Sequence, residues 1–162
     1  MLTTLVIIGT RPEAIKMAPV VLNLKKQKNS KCLVCVTAQH RSMLDQVLSF
    51  FEIVPDFDLN IMQHDQSLNA ITAKIISGLD VVFTQANPDI VLVHGDTNTS
   101  FAAALAAFYR RIPVGHVEAG MRTWNLNFPF PEEANRVLTS QIASVHFAPT
   151  TLNTTNLVKS GV

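Results

Sequence analysis

Short apolar runs of strand length alternate with segments of helical periodicity, and this alternation constrains the fold of the chain most. Four runs are rich in β-branched residues and a short fifth strand follows them: Leu2–Ile8, Lys31–Thr37, Ile90–Val93, Pro113–Val117 and His146–Ala148. Strands with continuous apolar character are typical of parallel sheets that are covered on both faces. The sequence therefore predicts an α/β fold with a doubly wound, Rossmann-like parallel sheet.

Helical segments follow or separate these strands. The first helix carries Ile15 and runs to about Lys26, and the others are Met43–Phe51, Leu68–Phe83, Thr99–Tyr109, Glu132–Ala143 and Leu152–Lys159. With 162 residues and no internal repeat or linker-like stretch, the chain has room for one ordinary domain. We expect residues 1–162 to form that single domain.

Composition excludes several classes of protein. Hydrophobic residues make up 48% and charged residues 15% of the chain, which excludes intrinsic disorder. Lys and Arg number 13 against 12 Asp and Glu, so no basic surface for nucleic acid or an anionic membrane is expected. The longest apolar stretch, Phe101–Tyr109, is too short to cross a bilayer, and the start of the chain lacks a signal-peptide pattern. These features favour a cytoplasmic protein, and the apolar excess indicates a surface for a partner.

Neither cysteine nor histidine spacing predicts a metal site. Cys32 and Cys35 form a CxxC pattern, but they lie in a predicted strand, where residues three apart point to opposite faces. Redox pairs of this spacing place the first cysteine at a helix N-terminus instead. The five histidines show no paired spacing. We therefore expect two buried structural cysteines and no metal.

Polar residues follow the four β-branched strands at their carboxyl ends. The segments are GTRPE at 9–13, TAQHR at 37–41, HGDTN at 94–98 and VEAGMR at 117–122. In doubly wound sheets, ligands bind beyond the carboxyl ends of the strands. The four segments are expected to converge on one edge of the sheet, which is the candidate site.

Two cations stand at the start of the first predicted helix. Arg11 can donate to a phosphate in bidentate fashion, and Lys16 adds a point charge one turn further on. A helix N-terminus also favours an anion. The GxGxxG and P-loop patterns are both missing from the sequence. The alternative is a capped turn in which both cations are merely solvated.

Three carboxylates are candidates for acid–base chemistry at the same edge. Asp96 and Glu118 follow predicted strands, and Glu132 opens a predicted helix. Crowded carboxylates raise one another's pKa and nearby cations lower it, a combination that suits proton abstraction. Two structural alternatives stay open: Asp96 caps the next helix, although Thr97 can also do so, and Glu118 forms an ion pair with Arg122.

The segment Trp124–Pro131 is long for a connection in an α/β fold. It carries the aromatic residues Trp124, Phe128 and Phe130. Loops of this kind often bind ligands or cover a site. The alternative is that these rings pack on their own domain.

Several segments together resemble the bacterial, non-hydrolysing UDP-N-acetylglucosamine 2-epimerases. They are residues 9–19, 36–41, 43–46, 55–62, 91–97, 112–120 and 131–136, and the similarity extends over essentially the whole chain. The resemblance implies interconversion of UDP-N-acetylglucosamine and UDP-N-acetylmannosamine by elimination of UDP to a 2-acetamidoglucal and its re-addition. It implies neither a nicotinamide nor a metal.

Site residues are carried over from this resemblance by their position in the motifs. Arg11 and Lys16 are implied as substrate contacts, together with Asp96 and Glu118. Asp96, Glu118 and Glu132 are implied as the catalytic carboxylates, with the proton acceptor among them left open.

The resemblance also implies an activator site and a second domain. Gln39 and His40, near Glu132, match the position where the family binds a second UDP-N-acetylglucosamine. Family members are longer and have a two-domain, GT-B-type architecture, and this chain matches the amino-terminal domain. We expect the carboxyl-terminal UDP-binding domain, supplied in cis or in trans, to be a partner, and a homodimer is possible.

Three readings of the chain follow from that length. The first is an epimerase domain that is inactive without its second domain. The second is a non-catalytic truncated remnant or the partner-binding half of a split enzyme. The third is a hydrolysing epimerase that releases N-acetylmannosamine, although the segment 39–41 favours the non-hydrolysing type.

Overall fold

The computed structural model describes residues 1–37, 41–61 and 65–162, where strands and helices alternate along the chain. The strands are β1 (Leu2–Ile8), β2 (Ser30–Val36), β3 (Phe57–Asp58), β4 (Ile90–His94), β5 (Val114–Val117) and β6 (Val145–Phe147). The helices are α1 (Arg11–Lys26), α2 (Arg41–Phe50), α3 (Leu68–Ala86), α4 (Asn98–Tyr109), α5 (Glu132–Ile142) and α6 (Thr151–Lys159). The predicted elements are confirmed, and the short strand β3 is an addition to them.

The strands form one parallel sheet in the order β3-β2-β1-β4-β5-β6. From β1 the chain adds strands towards one edge, then returns to place β4 on the other side of β1. At such a reversal the loops after the two central strands diverge and leave a crevice at the carboxyl edge. The predicted doubly wound, Rossmann-like fold is confirmed, and its crevice lies between the loops that follow β1 and β4.

Alternate residues of the central strands supply two cores. Leu5 and Ile7 of β1 pack with α3 and α4 on one face, whereas Val6 and Ile8 pack with α1 and α2 on the other. Each of these four side chains is at most 1% exposed. A strand buried on both faces has no polar alternation, which explains the continuous apolar runs.

The two cysteines lie on opposite faces of β2, as predicted. Cys32 belongs to the core beneath α1, and Cys35 belongs to the core beneath α3 and α4. Both are free thiols, and burial raises the pKa of Cys35 to about 12. A thiol with so high a pKa is an inert core residue rather than a redox group.

Candidate functional site

A buried carboxylate fastens the loop after β1 to the start of α4. Glu13 is 1% exposed, and its Oε2 accepts hydrogen bonds from the amides of Gly9 (2.9 Å) and Thr10 (2.6 Å). Its Oε1 lies 2.7 Å from the hydroxyl of Thr97 and 3.0 Å from that of Ser100. Glu13 thus joins both walls of the crevice. This role of Glu13 was not predicted from the sequence, although the spacing from Thr10 to Glu13 is that of a capping box.

The two walls also approach closely at Gly9. A Cβ atom added there would lie 2.3 Å from the hydroxyl oxygen of Thr99 and 2.7 Å from its Cβ. The same hydroxyl is 3.2 Å from that of Thr37, at the end of β2. Glycine is needed here because α4 passes directly beside the backbone of the loop.

Glu118 follows β5 and faces a lysine and a histidine from two other elements. The ammonium of Lys16, on α1, lies 2.6 Å and 2.9 Å from its two carboxylate oxygens, and His94 Nε2 lies 3.3 Å from one of them. Partial burial raises the pKa of Glu118, but the hydrogen bond from Lys16 and the His94 ring outweigh it and lower the pKa overall. Glu118 is therefore held as a carboxylate.

The alternative in which Glu118 forms an ion pair with Arg122 is wrong. Arg122 donates instead to the hydroxyl of Ser160 (3.2 Å) and to the carbonyl of Met121 (2.8 Å). The loop after β5 turns away, so the nearer residue in sequence is not the nearer in space. Lys16 takes the place of Arg122 although it lies 102 residues from Glu118.

Asp96 occupies a different electrostatic environment from Glu118. It does not cap α4, because the hydroxyl of Thr97 accepts the Ser100 amide at 3.1 Å. Burial raises the pKa of Asp96; Arg136, whose Nη1 lies 3.2 Å from Oδ2, opposes this, and the carboxylates of Glu132 and Glu118 add to it. Asp96 therefore binds a proton more readily than an ordinary aspartate.

Arg136, which contacts Asp96, also forms a buried ion pair with Glu133 on α5. Arg136 Nε donates to Glu133 Oε2 at 2.6 Å, and Glu133 Oε1 accepts the amides of Thr123 and Trp124 at 3.0 Å each. Burial raises the pKa of Glu133, but these amides and Arg136 outweigh it and lower the pKa overall. Glu133 and Arg136 were missed from sequence, because a Glu at a helix start is ordinarily exposed.

His116 lies within β5 and contacts the loop that carries Asp96. Its Nε2 is 2.7 Å from the carbonyl oxygen of Gly95, which can only accept, so this nitrogen carries the proton. Burial lowers the pKa of His116 to about 4. The neutral ring thereby holds Gly95, which has a positive φ of 67°, directly before Asp96. Sequence analysis assigned no role to this histidine.

The described residues at the carboxyl edge of the sheet line two neighbouring clefts, among others. One, of about 600 Å³, is lined by Lys16, His94 and Glu118 and by residues 146–149 at the end of β6. The other, of about 220 Å³, brings Asp96 and Glu132 together with the N-terminus of α4. The predicted carboxylates are therefore divided between two adjacent clefts rather than gathered in one cluster.

Arg11, the second predicted cation, is the exposed first residue of α1. The rings of Trp124, Phe128 and Phe130 are 59–72% exposed, so the loop does not bury them on its own domain. Gln39 and His40 lie outside the described residues, and the activator site they imply stays a prediction. Among the helices that the structure describes, none is long and apolar enough to cross a membrane.

The fold and the polar crevice define a Rossmann-like α/β domain with ionisable groups at its topological switch point. A sequence model of the family described as UDP-N-acetylglucosamine 2-epimerase matches residues 22–162. The chain therefore belongs to the UDP-N-acetylglucosamine 2-epimerase family, as its sequence motifs predicted.

Relatives and solved structures agree with this membership. The UDP-N-acetylglucosamine 2-epimerase of Neisseria meningitidis is 61% identical over 158 residues, 98% of this chain and 42% of that protein, and the Escherichia coli K12 enzyme is 59% identical over the same shares. The Neisseria enzyme solved with UDP-N-acetylglucosamine superposes with a TM-score of 0.97 at 60% identity, covering 99% of this chain and 43% of that one. A Staphylococcus aureus protein solved with UDP gives 0.96 at 54% identity, covering 100% and 43%. This chain thus spans about two fifths of the length of its relatives.

Proposed function

We propose that this chain supplies the amino-terminal part of a site that interconverts UDP-N-acetylglucosamine and UDP-N-acetylmannosamine. The observation that carries the proposal is the opposite tuning of two carboxylates at one sheet edge. The pKa of Asp96 is raised by burial, whereas Lys16 and His94 outweigh the partial burial of Glu118 and lower its pKa. Two acidic groups whose pKa values shift in opposite directions from their usual values can take distinct acid–base and electrostatic roles.

The chemistry of the sugar requires both roles. The C2 hydrogen is not adjacent to a carbonyl, so it becomes acidic only as the bond between C1 and the diphosphate oxygen breaks. UDP departs with the electron pair, and positive charge develops at C1 and the ring oxygen. An ionised carboxylate stabilises that charge, while a second carboxylate accepts the C2 proton. Re-addition of UDP with return of a proton to the other face of C2 completes the inversion.

The geometry supports Glu118 as the stabilising anion and Asp96 as the proton acceptor. Glu118 stays ionised because Lys16 donates to both of its oxygens. Burial raises the pKa of Asp96 above that of an ordinary aspartate, and Asp96 lies in the cleft that also holds Glu132. Glu132 lines the same cleft, and a proton that it takes up from solvent can be returned to the other face of C2.

Lys16 and Arg11 are proposed to hold the departing diphosphate. The Lys16 side chain is 49% exposed, and an ammonium group has three donors, so it can retain Glu118 while contacting a phosphate oxygen. Arg11 extends from the same helix start, where amides and the helix dipole favour an anion. Both cations would stabilise negative charge that grows as the bond to C1 breaks.

We further propose that residues 1–162 form the amino-terminal domain of a two-domain architecture and have no turnover alone. The relatives are more than twice as long as the part that this chain matches. A second domain would bind the uridine and position the diphosphate against Lys16. Without that positioning, much of the rate acceleration available from oriented binding is lost.

A proton NMR time course in D2O with UDP-N-acetylglucosamine tests these proposals. Broadening of the ligand lines without loss of the C2 proton signal is expected for this chain alone. Addition of the carboxyl-terminal portion of the Neisseria meningitidis enzyme should then start C2 exchange. Exchange should be lost in Asp96→Asn and Glu118→Gln, and retained in the control Arg110→Gln, whose exposed ion pair with Asp80 lies far from the site.

Three results of this experiment would contradict parts of the proposals. No broadening, together with no exchange in the combined mixture, would contradict the proposed function. Exchange by the chain alone would refute the claim that it needs a second domain. Unimpaired exchange in Asp96→Asn would remove Asp96 as the proton acceptor.

A further inference from the structure

Two buried side chains join Asp96 to the backbone of the loop at residues 121–131. Asp96 Oδ2 is 3.2 Å from Arg136 Nη1, and Arg136 Nε is 2.6 Å from Glu133 Oε2. The other oxygen, Glu133 Oε1, accepts the amides of Thr123 and Trp124 at 3.0 Å each. The contacts form a continuous path from the loop backbone to the Asp96 carboxylate.

Both intermediate side chains of this path are buried. The side chains of Glu133 and Arg136 are 1% and 7% exposed, so water does not compete for their hydrogen bonds. One carboxylate oxygen of Glu133 contacts the loop backbone, and the other contacts Arg136. The guanidinium is a rigid planar fork, so a shift of Glu133 that turns Nε also turns Nη1 towards or away from Asp96.

One guanidinium is shared by two carboxylates in this arrangement. The contact of Arg136 with Glu133 is 0.6 Å shorter than its contact with Asp96, from distances of 2.6 Å and 3.2 Å. The stronger pairing with Glu133 leaves the charge of Asp96 only partly balanced. Other charged or titratable groups face this pair, namely Glu132, Glu118 and His94 towards Asp96 and Arg122 towards Glu133.

We propose that Glu133 and Arg136 are positioning residues that couple the backbone of loop 121–131 to the proton affinity of Asp96. While the amides of Thr123 and Trp124 hold Glu133, Glu133 holds Arg136 and Asp96 retains its affinity for a proton. When a movement of the loop draws Glu133 away from Arg136, Arg136 pairs more fully with Asp96 and the aspartate becomes a weaker base. By thermodynamic linkage, protonation of Asp96 in turn changes how strongly Glu133 binds the amides of Thr123 and Trp124.

The coupling gives the exposed aromatic loop a role in the proposed reaction. A ligand that contacts Trp124, Phe128 or Phe130 would act on Asp96 through the loop backbone. This consequence rests on the proposed function of Asp96, whereas the coupling itself is a property of the free chain and is measured without ligand.

The experiment is an NMR titration of the 162-residue chain with ¹³C-labelled aspartate and ¹⁵N-labelled amides. In the unsubstituted chain, the amide shifts of Thr123 and Trp124 should change with the midpoint of the Asp96 carboxyl. In Glu133→Gln, which keeps the shape and one acceptor oxygen, the Asp96 midpoint should fall by on the order of one pH unit because Arg136 is no longer shared. In Arg136→Gln the midpoint should rise, because the opposing cation is gone.

Glu132→Gln is the matched control, since it removes the neighbouring carboxylate of the same helix turn. It should lower the Asp96 midpoint by direct charge removal and leave the response of the Thr123 and Trp124 amides intact. In Glu133→Gln that response should be lost. A merely structural role for Glu133 and Arg136 would move the Asp96 midpoint in the same direction in both of their variants, as the site opened to water.

Two results would overturn the proposal. One is an unsubstituted chain whose Thr123 and Trp124 amides do not follow Asp96, a measurement that no folding defect can obscure. The other is a folded Glu133→Gln chain with an unchanged Asp96 midpoint. Failure to bind UDP-N-acetylglucosamine would count against the proposed function and leave these results unaffected.

Discussion

Replacement of Glu13 by Gln should destabilise the chain strongly although the two side chains have the same shape. The carboxylate accepts from two backbone amides through one oxygen and contacts two hydroxyls through the other. Gln supplies one acceptor oxygen and an amide group that only donates. Its best orientation keeps the oxygen on Gly9 and Thr10 and turns the amide towards the hydroxyls, which must then rotate.

The magnitude follows from those four contacts. Two charge-assisted hydrogen bonds to the backbone become neutral ones, at a cost of about 1 kcal/mol each, and the two hydroxyl contacts are weakened. A loss of about 2–3 kcal/mol in the free energy of unfolding is expected for Glu13→Gln. For Glu13→Ala, two buried amides lose their acceptor and a cavity forms, so about 4–6 kcal/mol is expected.

Urea denaturation followed by circular dichroism measures these losses, with Glu52→Gln as the exposed control. The midpoint should fall with little change in the slope, and Tm should drop by roughly 5–10 °C for Glu13→Gln. A Glu13→Gln chain within about 0.5 kcal/mol of the unsubstituted chain would refute the reasoning, since surface substitutions cause changes of that size.

Three further outcomes are expected. The pKa of His116 is lower in the folded chain than in the unfolded chain, so the unfolded chain takes up a proton first as the pH falls. The free energy of unfolding should therefore decrease by up to about 3 kcal/mol between pH 6.5 and about 4. This dependence on pH should be weaker in His116→Gln. Lys16→Met should raise the pKa of Glu118, measured by ¹³C titration, because its hydrogen-bonding cation is removed. Gly9→Ala should lower Tm, because the new Cβ would overlap Thr99. An unchanged Tm would mean that α4 can move to make room for the methyl group.

The sequence predicted the fold and the site's location from local patterns. Continuous apolar runs, explained by burial on both faces, predicted the long strands and their parallel arrangement. The exception is β3, which has two residues and thus no run to detect. Asp96 and Glu118 were found because each follows a buried strand, where a polar residue is conspicuous.

The pairings at the site were not predictable in the same way. Arg122 was the candidate partner of Glu118 in one alternative because both lie in one loop, yet Lys16 from another element pairs with Glu118. Glu13 and Glu133 read as ordinary first-turn acids, although both are buried and bind amides of neighbouring loops. The partners of a side chain depend on how elements pack, and this information is not local.

The sequence by itself determined the elements, their parallel arrangement and the edge where ionisable groups collect, because hydrophobic periodicity and strand ends are local properties. Only the tertiary structure decided the order of the strands and the direction in which the pKa values of Asp96 and Glu118 shift. Coulomb interaction and desolvation depend on distance and burial in space, so two carboxylates that look alike in sequence acquire pKa shifts of opposite direction.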